Sequence, residues 1–177
     1  GDWCPPGVKE DEFKTPLAVT DTILTYDIAV KSAFVYEVLG QQPQRQFALA
    51  LAERVKTAFR EKLLNKETGE IKGGTQTGQA MAIYYGMLTV EEKPKALKLL
   101  IKYIADEDGH FYTGVLGGRV LYRVLAENGY VDLAYNMIVR PDYPSYGNWI
   151  KRGATTLWEG FYPCLLYTSD AADERSS

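Results

Sequence analysis

The stretch from Thr75 to Leu88, TQTGQAMAIYYGML, constrains the fold more than any other. Its small and apolar residues recur at helical spacing and leave almost no polar face. A helix without a polar face has to be buried on most of its sides. One such helix implies others packed around it, and the neighbouring segments supply them. From Val90 to about Asp106, Ala96, Leu97, Leu100, Ile101 and Ile104 oppose Lys93, Lys95, Lys98 and Lys102, an amphipathic pattern with one solvated side. Buried and amphipathic helices therefore alternate, as they do in two concentric layers.

The remaining helices follow from periodicity and punctuation. Thr20-Asp21 is expected to cap a helix whose apolar stripe is Ile23, Leu24, Ile28, Phe34, Val35, Val38 and Leu39, with Gly40 just past its end. Pro43 suits the first turn of a second helix, running to about Leu64 through Phe47, Leu51, Val55, Phe59 and Leu63. NKETGEIKGG reads as a turn. A fifth helix, VLGGRVLYRVLAENG, ends at Gly129, and a sixth, YVDLAYNMIVR, ends before Pro141. The opening residues and PDYPSYGN read as loop. There is no strand alternation and no fixed repeat period, so the class is all-α with its functional side chains on loops.

Composition narrows the function. The 177 residues carry 20 basic and 23 acidic side chains, a net charge of −3, and show no basic stripe. Nucleic acid and anionic membrane are poor partners for such a surface, and no apolar run approaches the roughly 20 residues of a membrane span. Two cysteines, Cys4 and Cys164, make neither a disulfide framework nor a zinc site, and one histidine, His110, makes a histidine-built metal centre improbable. No cofactor is expected. The chain starts at Gly1 without a signal-like segment; the N-terminus is read as cut, which says nothing about compartment.

Four segments occur in order: GDWCPP at Gly1–Pro6, TQTGQAMAIYYGML at Thr75–Leu88, GHFYTGVLGGRVLYRVLAENGYVDLAY at Gly109–Tyr135, and YPSYGNWIKRGATTLWEG at Tyr143–Gly160. Together they resemble the C-terminal half of the catalytic domain of bacterial α-L-rhamnosidases, glycoside hydrolase family 78. The resemblance implies a partial (α/α)6 toroid of helical hairpins, with loops at one end forming a sugar pocket. It also implies hydrolysis of terminal α-L-rhamnose, with inversion, from a rhamnose-containing glycoside or oligosaccharide. The family's general base then falls on Glu159 and its pocket tryptophan on Trp3. Tyr146 stands where the family often has tryptophan. The family's general acid lies in an acidic motif upstream of GDW, so the 177 residues alone are expected to be inactive. Residues 1–161 are expected to be an incomplete catalytic domain. CLLYTSDAADERSS, Cys164–Ser177, resembles no part of the family and looks like a translated sequencing adapter, so residues 162–177 are expected to be a non-native tail.

The residues themselves allow this chemistry. An inverting glycosidase needs two carboxyl groups about 6.5–9.5 Å apart, one protonated and one ionised. In GATTLWEG, Gly153 and Ala154 permit close backbone approach, Thr155 and Thr156 can anchor through their hydroxyls, and Leu157 can face the core. Trp158 then restricts Glu159 and lowers local water content. Read alone, Glu159 is more simply a helix-entry or salt-bridged glutamate. Trp3 offers an indole face to the methyl group of a 6-deoxy sugar, or packs in a core. Asp2 either binds a sugar hydroxyl or ties down the turn. His110 either bonds substrate or is a satisfied loop histidine. Gln76 and Thr77 start an inner helix and would point toward the pocket end. Tyr143, Tyr146 and Trp149 form a leaving-group platform or pack their loop.

Overall fold

A computed structural model of the chain describes residues 1–7, 13–158 and 161. Among the described residues there are seven helices: α1 (Leu17–Val38), α2 (Gln42–Lys62), α3 (Gln76–Tyr84), α4 (Glu92–Asp106), α5 (Val115–Glu127), α6 (Val131–Val139) and α7 (Tyr146–Lys151). The only sheet-like feature described is a single antiparallel bridge between Leu64 and Ile71, which closes the turn after α2.

The helices form three hairpins, α1/α2, α3/α4 and α5/α6. Consecutive inner members touch, α1 against α3 and α3 against α5, while α2, α4 and α6 each pack on the helix before them. This is the expected all-α arc of two layers. The central helix α3 is buried continuously from Gln76 to Ile83, as a helix without a polar face must be. Around it lies a core that includes Phe59, Ile71, Met81, Met87, Leu100, Ile104, Leu121 and Leu125.

Polar groups stitch the layers. Thr75 caps α3 by accepting from the Gly78 amide at 3.1 Å. Buried Gln79 accepts from Ile71 N–H at 2.7 Å and donates to the Gly69 and Ala96 carbonyls, each at 3.1 Å. It thus binds α3 to the turn after α2 and to α4. Thr89 and Glu92 form a reciprocal capping box at the start of α4: Glu92 Oε2 accepts from Thr89 N–H, and Thr89 Oγ1 accepts from Glu92 N–H. Arg60 of α2 grips the same carboxylate with two bonds, at 2.8 and 3.2 Å.

Three expectations need correction. Helix α1 begins at Leu17 behind Pro16, so Thr20 and Asp21 are inside it; Thr20 satisfies its hydroxyl by donating to the Leu17 carbonyl. The expected stripe of α1 is largely outside: Ile28, Phe34, Val35, Val38 and Leu39 are exposed, and of the stripe only Ile23 is fully buried. The hairpin instead buries Ala29 and Ala33 of α1 and Ala48 and Ala52 of α2. Small side chains let the two axes approach, and the large ones are turned away. Finally, part of the segment read as loop after α6 is the short helix α7, capped by Ser145, whose Oγ accepts from Asn148 N–H at 2.9 Å.

Candidate functional site

Helix α5 starts behind Gly114, which has no side chain to cap it. The cap comes from Asp2. Its Oδ2 accepts from Gly114 N–H at 2.7 Å and from the Thr77 hydroxyl, and its Oδ1 accepts from Leu116 and Gly117 N–H at 2.9 and 3.0 Å. The adjoining Trp3 carbonyl accepts from Val115 N–H at 2.8 Å. A carboxylate suits this place because the first amides of a helix lack intrahelical partners and sit at the positive end of its dipole.

Beside this junction lies a cavity of about 320 Å³, lined by residues from four parts of the chain. Cys4 comes from the opening turn, Phe111, Thr113 and Arg119 from the loop and first turns of α5, and Tyr146 and Trp149 from α7. Leu157, Trp158 and Phe161 follow α7. Five of its twelve lining residues are aromatic. Phe111 stacks on Tyr146 with ring centroids 5.7 Å apart, Trp149 stacks on Phe161 at 4.3 Å, and Trp158 lies 5.7 Å from Trp149. Burial raises the pKa of the Tyr146 phenol, which stays a neutral donor. Two buried polar atoms of the lining, Thr113 Oγ1 and Trp149 Nε1, have no hydrogen-bond partner among the described residues. Arg119 is the cation of the lining. No carboxylate belongs to it among the described residues.

The expected site residues divide accordingly. Tyr146 and Trp158 are in the cavity wall, and the Arg152 guanidinium covers the Trp158 ring at 5.1 Å from its centroid. Trp3 is 42% exposed and outside the lining, one residue from Cys4, which belongs to it. Asp2 is only 1% exposed, and its four acceptor positions are filled by protein donors, so it ties down the turn and has none left for a sugar hydroxyl. Glu159 lies outside the described residues, as do 162–177.

His110 is not in the cavity wall. Its Nδ1 is 3.1 Å from the Glu107 carbonyl, and its Nε2 is 3.2 Å from Asp142 Oδ2 without the alignment of a hydrogen bond. Asp142 is gripped by Arg140 through two bonds of 2.7 Å, and that guanidinium holds its carboxyl well below the usual carboxylate range. His110 therefore belongs to a structural cluster joining the loop after α4 to the loop after α6. Gln76 is also structural: it donates to the His110 and Tyr103 carbonyls and accepts from Tyr112 N–H. Thr77 serves Asp2. Tyr143 is partly exposed, apart from the lining that Tyr146 and Trp149 share, and Leu157 is exposed at the cavity edge rather than in the core. Phe111, Thr113 and Arg119 were not anticipated. Phe111 and Thr113 sit inside the quoted GHFYTG, where the glycines and aromatics were the available signal; nothing in the local pattern marks Arg119.

The hollow is walled in large part by aromatic carbon. Three helical hairpins in two layers carry it at the start of an inner helix, the architecture of a helical-hairpin domain. The chain belongs to the family described as bacterial alpha-L-rhamnosidase 6 hairpin glycosidase domain, which matches residues 1–177. It is 33% identical over 162 residues to an alpha-L-rhamnosidase of Formosa agariphila, an alignment covering 89% of this chain and 17% of that protein. Among solved structures it is similar to the Streptomyces avermitilis alpha-L-rhamnosidase complexed with L-rhamnose, with a TM-score of 0.81 and 29% identity over 91% of this chain and 15% of that one. The alpha-L-rhamnosidase of Dictyoglumus thermophilum gives a TM-score of 0.80 at 29% identity, covering 92% and 18%. The chain thus spans under a fifth of the length of these relatives. No helix among the described residues is long and apolar enough to cross a membrane.

Proposed function

We propose that residues 1–161 are part of the catalytic domain of an inverting α-L-rhamnosidase, which releases terminal α-L-rhamnose from glycosides or oligosaccharides. Glu159 is its general base, and a carboxyl group outside these residues is its general acid. The observation that carries the reading is the aromatic cavity at the start of α5, whose wall includes Trp158, the residue bonded to Glu159. The rings that line this cavity supply an apolar face for the C6 methyl group. In the reaction the ionised base takes a proton from water as that water attacks the anomeric carbon. The acid protonates the departing glycosidic oxygen.

The test is Glu159→Gln in the full-length polypeptide that contains this segment. Glutamine keeps the shape and cannot accept the proton, so kcat on an aryl α-L-rhamnoside is expected to fall about 10³-fold or more, with the melting temperature kept. Turnover within a few-fold of the parent would remove Glu159 from the role. Inactivity of the parent on rhamnosides, with activity on another aryl glycoside, would remove the substrate assignment.

A further inference from the structure

The carboxylate of Asp2 joins elements far apart in sequence. It bonds the Gly114 amide across 112 positions and the Thr77 hydroxyl across 75, so one side chain holds the opening turn to the starts of both α3 and α5. The turn is also pressed against Gly114: a Cβ there would lie 2.2 Å from the Trp3 carbonyl oxygen and 2.7 Å from that of Asp2, both backbone atoms that cannot swing aside. Directly after the clamp, Cys4 enters the cavity wall with φ of 56°, a left-handed conformation that a non-glycine residue holds only when its surroundings enforce it. Between the clamp and that strained residue sits Trp3, whose side chain is left 42% exposed.

We infer that Asp2 is a positioning residue of the sugar site: by latching the Gly1–Cys4 turn onto the starts of α3 and α5, it sets where Trp3 presents its indole face. The carboxylate itself does not touch the sugar. This rests on the reading of Trp3 as a sugar contact, and its predicted signature differs from that of a simple helix cap. A cap that only stabilises the fold changes the amount of folded enzyme, which lowers Vmax and leaves KM alone. A latch that aims a binding surface changes substrate affinity and leaves turnover per folded molecule alone.

The experiment uses the full-length enzyme with Asp2→Asn, Gly114→Ala and Trp3→Ala, assayed on an aryl α-L-rhamnoside with folded protein counted by circular dichroism. Asparagine can keep its oxygen on the Leu116 and Gly117 amides, but its NH₂ then faces the Gly114 N–H and repels it. Alanine at 114 pushes on the Trp3 and Asp2 backbone carbonyls and so displaces the turn while leaving the Asp2 carboxylate chemically unchanged. Both are expected to raise KM about tenfold, the scale of losing one apolar contact in a pocket, at unchanged kcat per folded molecule. Trp3→Ala is expected to do the same, and the Trp3→Ala/Asp2→Asn double variant to add nothing further, because both act on one contact. Should Asp2→Asn fail to fold, Thr77→Val removes one of the four bonds and keeps the other three; it carries the same test with a smaller rise in KM. An unchanged KM in the Asp2 and Gly114 variants, with a normal Trp3→Ala effect, overturns the latch. An unchanged KM in Trp3→Ala removes Trp3 from the site and the latch with it, while leaving the Glu159→Gln test of the rhamnosidase reading intact.

Discussion

Replacing Gln79 by leucine tests whether the central helix is held by specific polar contacts or by burial alone. The side chain is fully buried and makes three hydrogen bonds: Oε1 accepts from Ile71 N–H at 2.7 Å, and Nε2 donates to two carbonyls at 3.1 Å. Leucine fills similar volume, so little cavity forms. What remains are orphaned backbone groups. The Ala96 carbonyl lies within α4, where the helix offers its own donor, but Ile71 N–H and the Gly69 carbonyl have no other partner among the described residues. Each orphan costs about 1–3 kcal/mol, and the added apolar burial returns about 1–2 kcal/mol. The expected net loss is therefore about 2–3 kcal/mol. In urea denaturation of the 177-residue chain, that is a midpoint shift of about 1 M at unchanged slope. A companion variant, Gln79→Glu, sharpens the test. One carboxylate oxygen can still accept from Ile71, but the other faces two carbonyl oxygens and has to be protonated, so the folded pKa rises above the ordinary value near 4.3. Relative to the parent at the same pH, its penalty is then small below that value, grows as pH rises, and is constant above the folded pKa. A loss below about 0.5 kcal/mol for leucine, or a pH-independent penalty for glutamate, would refute this account of α3.

Two further outcomes concern electrostatics and surface. The Arg60 guanidinium, then the Thr89 amide, hold the Glu92 carboxyl below its usual range. Its stabilisation is thus present above the unfolded carboxyl pKa and lost as pH falls through the lower folded value. Glu92→Gln is expected to cost about 2 kcal/mol near pH 7 and much less near pH 3; thermal melts giving equal losses at both would refute the pairing. Phe34 and Phe47, 66% and 70% exposed, lie with the exposed Val35, Val38 and Leu39 near the turn that joins α1 to α2, as an apolar patch. The Phe34→Ser/Phe47→Ser pair is expected to reduce self-association in sedimentation velocity and dye binding, with folding stability kept within about 1 kcal/mol. Unchanged association would mean that this patch is not the adhesive one.

Periodicity made the helices legible, and it failed where two faces of one helix are both apolar. In α3 there was only one possibility, burial all round, and Thr75 and Pro43 marked helix starts through local chemistry that needs no partner. In α1 the large residues form one apolar stripe and the alanines another. Periodicity says which residues share a face; it does not say which face meets the next helix. The hairpin chose the alanines because close approach favours small side chains. The capping box TVEE was readable at Thr89–Glu92, yet the doubling of Glu92 as a partner for Arg60 depends on where α2 lies. Helix α7 has six residues, too few to show a period, and only Ser145 announces it.

The site was legible in its parts and not in their division of labour. Aromatic residues in glycine-rich loops pointed to a binding surface, and Tyr146 and Trp158 line the cavity beside α5. Asp2 and Trp3, adjacent in one motif, had to be weighed as equals because adjacency carries no orientation. Their roles separate only across more than a hundred residues, where α5 begins with a glycine and no capping side chain of its own. That missing cap is a signal in itself. A strongly apolar helix that starts after GHFYTG without Ser, Thr, Asp or Asn in the capping place must borrow an acceptor, and a buried acid elsewhere in the chain is the natural lender. Once the acid is spent on the helix, the neighbouring indole is the group left to face outward. A motif that looks like a pair of ligands is therefore better read as one buried anchor and one exposed ring.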